Sequence, residues 1–395
     1  MKNGFLEVYP VLTEDIKSDF VVIGAGISGA LQAWHLAHKG ASVILVDGRH
    51  VGMNSTAAST ALLQYDIDRA LHELIDIFGE EKAARAYEMS LDSLLGLEDI
   101  AKKLPIENNF ERRSSVYLAD SETNFSFLEK EYKARKKYGY EVELWDSEKT
   151  EKHFPFPSPG ALYTKPGAIV DPYRLTHGLL QDAIKMGARI FDKTQVNNIE
   201  RHKTGVTLHT SQGYKVSAKK VVVACGYETL NYLPSGLVKL YTTFAIISKP
   251  LPVKEIWFEN AVFWDTGNPY IYGRTTADNR VIFGGGDEPF YSPKRREELH
   301  HQKTNELVAR FENMFPHLPF HLDFCWAGTF IETEDGLPYV GSIKNLPHTY
   351  FALGYGGNGI TFSQLAAEIL CDLLMGKENK DAEIYSFSRK KGFDL

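Results

Sequence analysis

Two glycine-rich stretches carry spacing from which chemistry can be read. The first is Gly24-Ala25-Gly26-Ile27-Ser28-Gly29, which follows the apolar run Phe20-Val21-Val22-Ile23 and precedes a helical apolar pattern from Ala30 to Leu36. The apolar run reads as a buried strand. In that setting Gly24 permits a tight turn, Gly26 lets backbone approach a pyrophosphate, and Gly29 lets the helix pack closely on the strand. The N–H groups at the helix start, at the positive end of its dipole, then hold phosphates. A lone G-x-G-x-x-G is weak evidence, but here its context is complete. A second strand, 41–46, ends in Asp47, 18 residues after Gly29. Asp47 is placed to accept both hydroxyls of a ribose, and its charge would repel a 2′-phosphate. Without the fingerprint it would be an ordinary turn former.

The second stretch is Gly354-Tyr355-Gly356-Gly357-Asn358-Gly359-Ile360-Thr361, which opens a helix over 362–374. A glycine-dense loop at a helix N-terminus is a second anion site. The doubling points to a large ligand with two electron-rich ends, such as FAD, more than to a nicotinamide cofactor. Between the two lies a charge-poor run of small and hydroxyl residues, 48–63, which includes Ser59, Thr60, Ala61 and Leu62. Such side chains let backbone come close to something flat, or form a buried loop and helix cap. The strand 220–226 ends in Ala224-Cys225-Gly226, which suits another close approach or a plain buried turn. Tyr270, Tyr272 and Arg274 alternate, so they share one face of a strand. Two phenols and a guanidinium could grip a carboxylate or a planar polar substrate, or form the outward face of a half-buried sheet.

The elements that must position these residues follow from the same patterns. Residues 1–19 read as a leader, 66–103 as helices, 110–118 as a strand and 121–138 as an amphipathic helix. A Pro-rich loop, 154–160, precedes a helix over 173–186 with Asp171 as N-cap and Pro172 at its first position. A meander (196–200, 205–210, 213–217) feeds a separate strand at 220–226. Antiparallel strands are predicted over 241–286, a helix over 295–315, and strands at 325–331, 339–341 and 350–353. The fold class is α/β with an α+β second domain.

Bulk properties narrow the function. At 395 residues, 43% hydrophobic and 24% charged, the chain is long enough for two domains, without a membrane span. A net charge of −7 without a basic run argues against nucleic acid as a partner. Three scattered cysteines give neither a disulfide framework nor metal spacing, so a reduced, cytoplasmic setting and no metal are expected. His35 and His38 lie on the nucleotide helix and read as surface or boundary residues.

With these motifs in order, the chain resembles the D-amino-acid oxidase, glycine oxidase and sarcosine oxidase superfamily of FAD-dependent oxidoreductases. The W-A-G…D-G-L-P segment (326–338) and the closing G-G-N-G-I-T loop complete the likeness, which covers nearly the whole chain. It implies a Rossmann-like FAD domain from 1–90, 155–235 and 325–395, and an inserted antiparallel-sheet substrate domain from 91–154 and 236–324. It further implies that Gly24, Ala25, Gly26, Ile27, Ser28 and Gly29 hold the pyrophosphate, and that Asp47, with Gly48, holds the adenosine ribose. Val196 would contact the adenine region, and Cys225 and Gly226 the cofactor near the pyrophosphate. Ser59 to Leu62 and Gly328 would line the flavin. Gly356, Gly357, Asn358, Gly359, Ile360 and Thr361 would cup its N1–C2=O edge.

The implied chemistry is hydride transfer from the carbon beside an amine to flavin N5, giving an imine that water hydrolyses. The substrate would be a small amine or amino acid, and the electron acceptor oxygen, a quinone or a carrier protein. Two departures stand out. Phe330 occupies the place where amino-acid-oxidising relatives often carry a carboxylate-binding arginine, so Arg274, with Tyr270 and Tyr272, is the candidate replacement. Gly328 stands where the sarcosine oxidase branch carries a flavin-linking cysteine, so noncovalent FAD is expected. The alternatives are a nicotinamide-dependent Rossmann dehydrogenase and a non-catalytic FAD-binding scaffold.

Overall fold

The computed structural model describes residues 6–253 and 255–389. The start of the expected leader, residue 254 and the end of the 325–395 segment lie outside the described residues.

The strand Ile16–Ile23 lies between Lys215–Val223 and Val43–Val46, parallel to both. Thr349–Leu353 and Arg189–Phe191 extend this parallel core on either side. Tyr339–Ser342 closes one edge, and the hairpin Val196–His202/Gly205–Thr210 runs antiparallel off Lys215–Val223. Phe20 and Val22 face a core with Leu31, Leu179 and Leu365 of the helices Ile27–His38, Pro172–Lys185 and Gly359–Leu374. Val21 and Ile23 face the opposite core, with Val196, Ile199, Val206 and Leu208 of the hairpin. Both faces are covered, which is why this strand reads as an unbroken apolar run. Asp171 caps the helix Pro172–Lys185 by accepting from the N–H groups of Tyr173 and Arg174, both at 3.0 Å.

The expected break between 217 and 220 is not present: Lys215–Val223 is one continuous strand. Lys219 and Lys220 interrupt the apolar pattern for a reason outside the strand. Lys219 pairs with Asp19 at 2.7 Å, and the Lys220 ammonium donates to the carbonyls of Leu373 and Leu374, at 3.2 and 2.8 Å. A cation there satisfies the carbonyl end of the last long helix.

The second sheet has nine strands and is antiparallel except where Val262–Asp265 runs parallel to Glu111–Leu118. Leu322–Glu332 forms one edge and pairs only with Lys239–Ser248. Three of its strands, Leu62–Gln64, Gly160–Ile169 and Leu322–Glu332, fall wholly or mostly in segments read from the sequence as nucleotide-binding, so this sheet crosses those limits. The strands Glu141–Asp146 and Gly160–Ile169 were not expected, and the second carries Pro166 and Gly167 in its interior. Those residues sit where Gly160–Ile169 changes partner, from Glu141–Asp146 to Leu62–Gln64, and a register shift opposite Arg113 and Ser115 absorbs them. The helix Pro293–Met314 covers one face, with Leu307 and Phe311 packed among Phe244, Phe263 and Phe283.

One polar network is buried under the helix Glu122–Lys137. The helix Glu122–Lys137 hides Glu131 and Arg135, four residues apart and at most 1% exposed. Glu131 accepts from the N–H groups of Leu71 and His72 (2.9 and 3.1 Å), from His72 Nδ1 (2.9 Å) and from Arg135 Nε (2.6 Å). It thereby caps the helix Leu71–Phe78, whose own N-cap, Ala70, has no acceptor. Arg135 also donates to Asp66, and its guanidinium lies 5.7 and 5.4 Å from the ring centres of Tyr65 and Tyr87. Breaking such a buried pair leaves an uncompensated charge. Arg135→Ala is expected to cost about 3–5 kcal/mol, read from the midpoint of urea unfolding. A loss under about 1 kcal/mol would mean that water relieves Glu131 and Asp66.

Candidate active site

The turn after Ile16–Ile23 is built so tightly that side chains are excluded. Gly24 has φ +103°, and a Cβ there would lie 2.5 Å from the Ala224 carbonyl oxygen. A Cβ on Gly29 would lie 1.8 Å from the Gly24 carbonyl oxygen, so the helix could not sit this close with any other residue. Gly26 is the N-cap and offers no side-chain acceptor to the helix start. Thr56 Oγ accepts from the Ile27 N–H at 2.9 Å. This bare, donor-rich end fits a pyrophosphate. Asp47 has a structural duty besides the expected one. Its two oxygens accept from the N–H groups of Ala25 and Arg49, both at 2.7 Å, which fixes the turn to the strand end. Burial raises its carboxyl above the usual range. Gly48 abuts Gln195, Gly226 has open space at φ +58°, and Val196 packs into the core beneath. The Cys225 thiol, pushed up to about 12 chiefly by burial, touches the Ile23 carbonyl at 3.3 Å and is inert at neutral pH.

The second glycine loop meets the first. Ser28 and Ser363 share a 2.7 Å hydrogen bond, joining the first turns of the helices Ile27–His38 and Gly359–Leu374. Asn358 Nδ2 donates to the carbonyls of Asp66 and Gln64 (2.6 and 3.3 Å), and Thr361 Oγ donates to Gln64 (3.4 Å). Gly357 N–H donates to Asp68 at 2.8 Å, so one donor expected to face a flavin is held by a carboxylate of the chain itself. First-turn N–H groups of the helix that starts at Gly359 have no partner within the helix.

A cavity of about 500 Å³ opens between the start of the helix Gly359–Leu374 and the antiparallel sheet; residues 24–29, Asp47, Gly48, Val196, Cys225 and Gly226 are not among its lining residues. Ser59, Thr60, Ala61, Leu62, Gly356, Gly357, Gly359 and Ile360 line one side. On the other side Trp326, Gly328, Phe330 and Glu332 come from alternate positions of the edge strand Leu322–Glu332. Period-two alternation from Gly328 leads to Glu332, one residue beyond the strand expected over 325–331. Phe330 stacks on Tyr241, with ring centres 5.9 Å apart. Tyr117 and Trp264, directly paired across neighbouring strands, stack at 4.9 Å and add an aromatic wall that the sequence did not signal.

Tyr270 and Tyr272 both line this cavity, but Arg274 is not among its lining residues. Arg274 is 6% exposed and donates to the carbonyls of Thr60 and Thr275, the latter at 3.1 Å. A desolvated guanidinium must satisfy its donors with whatever acceptors surround it, and here they are backbone oxygens. The outward polar face considered for these three residues is also absent: Tyr272 and Arg274 are buried. Burial pushes the Tyr272 phenol up to about 12, so it stays protonated, and raises that of Tyr270 further. Three acidic groups gather at one end. Glu332 is pushed up to about 7 by burial and by the charges of Asp68 and Asp287; Asp287 is pushed up to about 6, mainly by burial. Burial raises Asp68 too. Among the described residues no group of side chains could hold a metal ion, and no helix is long and apolar enough to cross a membrane.

Two helix N-termini joined through Ser28 and Ser363 beside a parallel sheet, one of them opening on the cavity, suit a dinucleotide ligand. The chain belongs to the family of FAD dependent oxidoreductases (DAO), whose model matches residues 19–373. FAD is the cofactor, and the nicotinamide alternative is set aside. Neither cysteine nor histidine lines the cavity, so no residue of the sarcosine oxidase type stands ready for covalent attachment. Over 93% of its length the chain is 25% identical to gamma-glutamylputrescine oxidoreductase of Escherichia coli, covering 86% of that protein. It is 26% identical to glycine oxidase of Bacillus licheniformis, with 94% of this chain and 97% of that one covered. The crystal structure of glycine oxidase from Geobacillus kaustophilus superposes with a TM-score of 0.78 at 21% identity, over 95% of this chain and all of that one.

The raised carboxyl of Glu332 gives a pH signature. Its folded value, about 7, lies above its ordinary 4.5, so the folded state holds this proton more tightly. Stability from this group is full below about pH 4.5 and is lost as pH rises toward 7. Glu332→Gln is therefore expected to raise the thermal midpoint relative to wild type at pH 8 and to leave it unchanged at pH 4.5. Equal midpoints at both pH values would show that the carboxylate is freely solvated.

Proposed function

We propose that this protein oxidises the carbon–nitrogen bond of a small amine or amino acid, with FAD as the electron acceptor. The observation that carries the reading is the single cavity that joins the start of the helix Gly359–Leu374 to the aromatic wall of the antiparallel sheet. Bound FAD would supply a two-electron acceptor for the hydride on the carbon beside the nitrogen, so that the substrate would leave as an imine open to hydrolysis by water. The relatives named gamma-glutamylputrescine oxidoreductase and glycine oxidase support this substrate class.

The chain's own residues then divide the work. Gly24 to Gly29 hold the pyrophosphate, and Asp47 the ribose. First-turn N–H groups at Gly359, Ile360 and Thr361 stabilise negative charge at the N1–C2=O edge. Tyr117, Trp264 and Phe330 exclude water and align the substrate, while Tyr270 and Tyr272 act as neutral hydrogen-bonding groups. No general base is needed. Oxygen, a quinone or a carrier protein takes the electrons away.

Anaerobic bleaching of the purified flavoprotein by amines, N-methyl amino acids, glycine, proline and D-amino acids tests the reading. Reduction by one class within the panel is expected; flavin that nothing on the panel bleaches would favour a non-catalytic scaffold. Arg274→Ala separates two roles for that residue. Loss of its bonds to Thr60 and Thr275 is expected to cost about 1–3 kcal/mol of stability, with KM for all substrates altered alike. A rise in KM confined to carboxylate-bearing substrates would return Arg274 to substrate binding.

A further inference from the structure

The end of the cavity away from the glycine fingerprint carries charge that oxidation of a carbon–nitrogen bond does not require. Asp68 and Glu332 both line it. Asp68 is exposed to the cavity and accepts from Gly357 N–H. Asp287 lies behind Tyr270 and Thr243, whose hydroxyls, with the charge of Lys303, oppose the rise that burial imposes on its carboxyl. A buried carboxylate held only by hydroxyls and by a cation already paired with Glu288 is costly to keep charged unless a further cation comes to it.

Most of the cations nearby have other partners. Arg135 is held by Glu131 and Asp66, and Arg310 pairs with Asp265 at 2.8 Å. Lys303 pairs with Glu288 at 2.7 Å. Arg69, at the cavity wall, reaches Glu73 at 3.5 Å and donates to the Glu334 carbonyl at 3.3 Å. Arg296 donates to Thr329 Oγ at 3.2 Å, and Lys239 stands exposed opposite Glu332 on the neighbouring strand, where its charge, like that of Arg69, acts on Glu332 without forming an ion pair within 4 Å among the described residues. A substrate carboxylate entering here would meet Asp68 and Glu332, whereas an ammonium would meet two carboxylates and the faces of Tyr117, Trp264 and Tyr270. Aromatic faces attract cations and add nothing for an anion.

We propose that this acidic, aromatic end binds a second, protonated nitrogen of the substrate, so that the protein acts on diamines or similar amines with a remote cation rather than on α-amino acids held by their carboxylate. The inference rests on the amine-oxidising reading above and fixes which substrate class it serves. Asp68 and Glu332 are its specificity-determining residues, and Asp287 adds to the field from behind.

Three probes of one length test it: 1,4-diaminobutane, butylamine and 4-aminobutanoate, which end in an ammonium, a methyl and a carboxylate. Binding to the FAD-loaded protein is read without oxygen, by calorimetry and by perturbation of the flavin spectrum, so that turnover is not needed. The diamine is expected to bind at least about tenfold more tightly than butylamine, and 4-aminobutanoate most weakly. Glu332→Gln should weaken the diamine by about tenfold, leave butylamine within about twofold and relieve the penalty on 4-aminobutanoate. Equal binding of the three, preference for 4-aminobutanoate, or no binding at all would overturn the proposal, whether or not Asp68 variants fold. Ordered binding without bleaching would keep the cation site and overturn the oxidase reading. Bleaching without the order would do the reverse.

Discussion

Two positively polarised helix ends are held at one point, and the rest of the molecule is arranged to keep them there. The Ser28–Ser363 hydrogen bond places the first turns of Ile27–His38 and Gly359–Leu374 side by side. Each end carries roughly half a positive charge, so they repel until electron-rich groups lie between them. Within the chain, Asp47 and Asp68 supply part of that charge through the N–H groups of Ala25, Arg49 and Gly357. On the placement proposed above, a bound pyrophosphate and flavin carbonyl edge would supply the remainder, and the cofactor would then act as a structural counter-charge that adds to folding stability by mass action.

The buried Glu131–Arg135–Asp66 network solves a related problem on the other side of the cavity. The segment from Leu62 to Asp68 must pass from the antiparallel sheet to the glycine loop, and its carbonyls at Gln64 and Asp66 receive Asn358. Arg135 fixes Asp66, and Glu131 fixes the helix that follows. One helix of the antiparallel half thus positions the loop on which the second anion site rests. Specificity of geometry, more than net stability, is what a buried ion network of this kind supplies.

The glycine fingerprint was legible because its spacing is fixed, although only Gly29 answers to a collision nearby in sequence, with Gly24; Gly24 itself meets Ala224 and Gly26 the Thr56 hydroxyl. The alternating cores of Ile16–Ile23 leave an unbroken apolar run. The rest was harder to read because its constraints are long-range. Nothing beside Asp68 in sequence announces that it will meet Gly357, nor that Glu131 will cap a helix sixty residues earlier. Lys219 and Lys220 broke a strand on paper and serve Asp19 and a distant helix end in the fold. Arg274 was placed on the correct face by alternation, but alternation does not say which acceptors claim its donors. Glu332 was within reach of the same rule and was lost only because the strand was ended one residue early.

Leu322–Glu332 contributes Trp326, Gly328, Phe330 and Glu332 to the cavity while lying at the sheet edge, bonded to a neighbour on one side only. Four consecutive inward positions can thus change without disturbing a second strand's register. Gly328 has only Thr243 within ordinary contact distance of an added Cβ. Phe330 and Glu332 can thus be exchanged for other side chains at the cost of one neighbouring strand alone, whereas Trp326, which donates to the Ala58 carbonyl at 2.8 Å, ties the same strand to the hydroxyl-rich run.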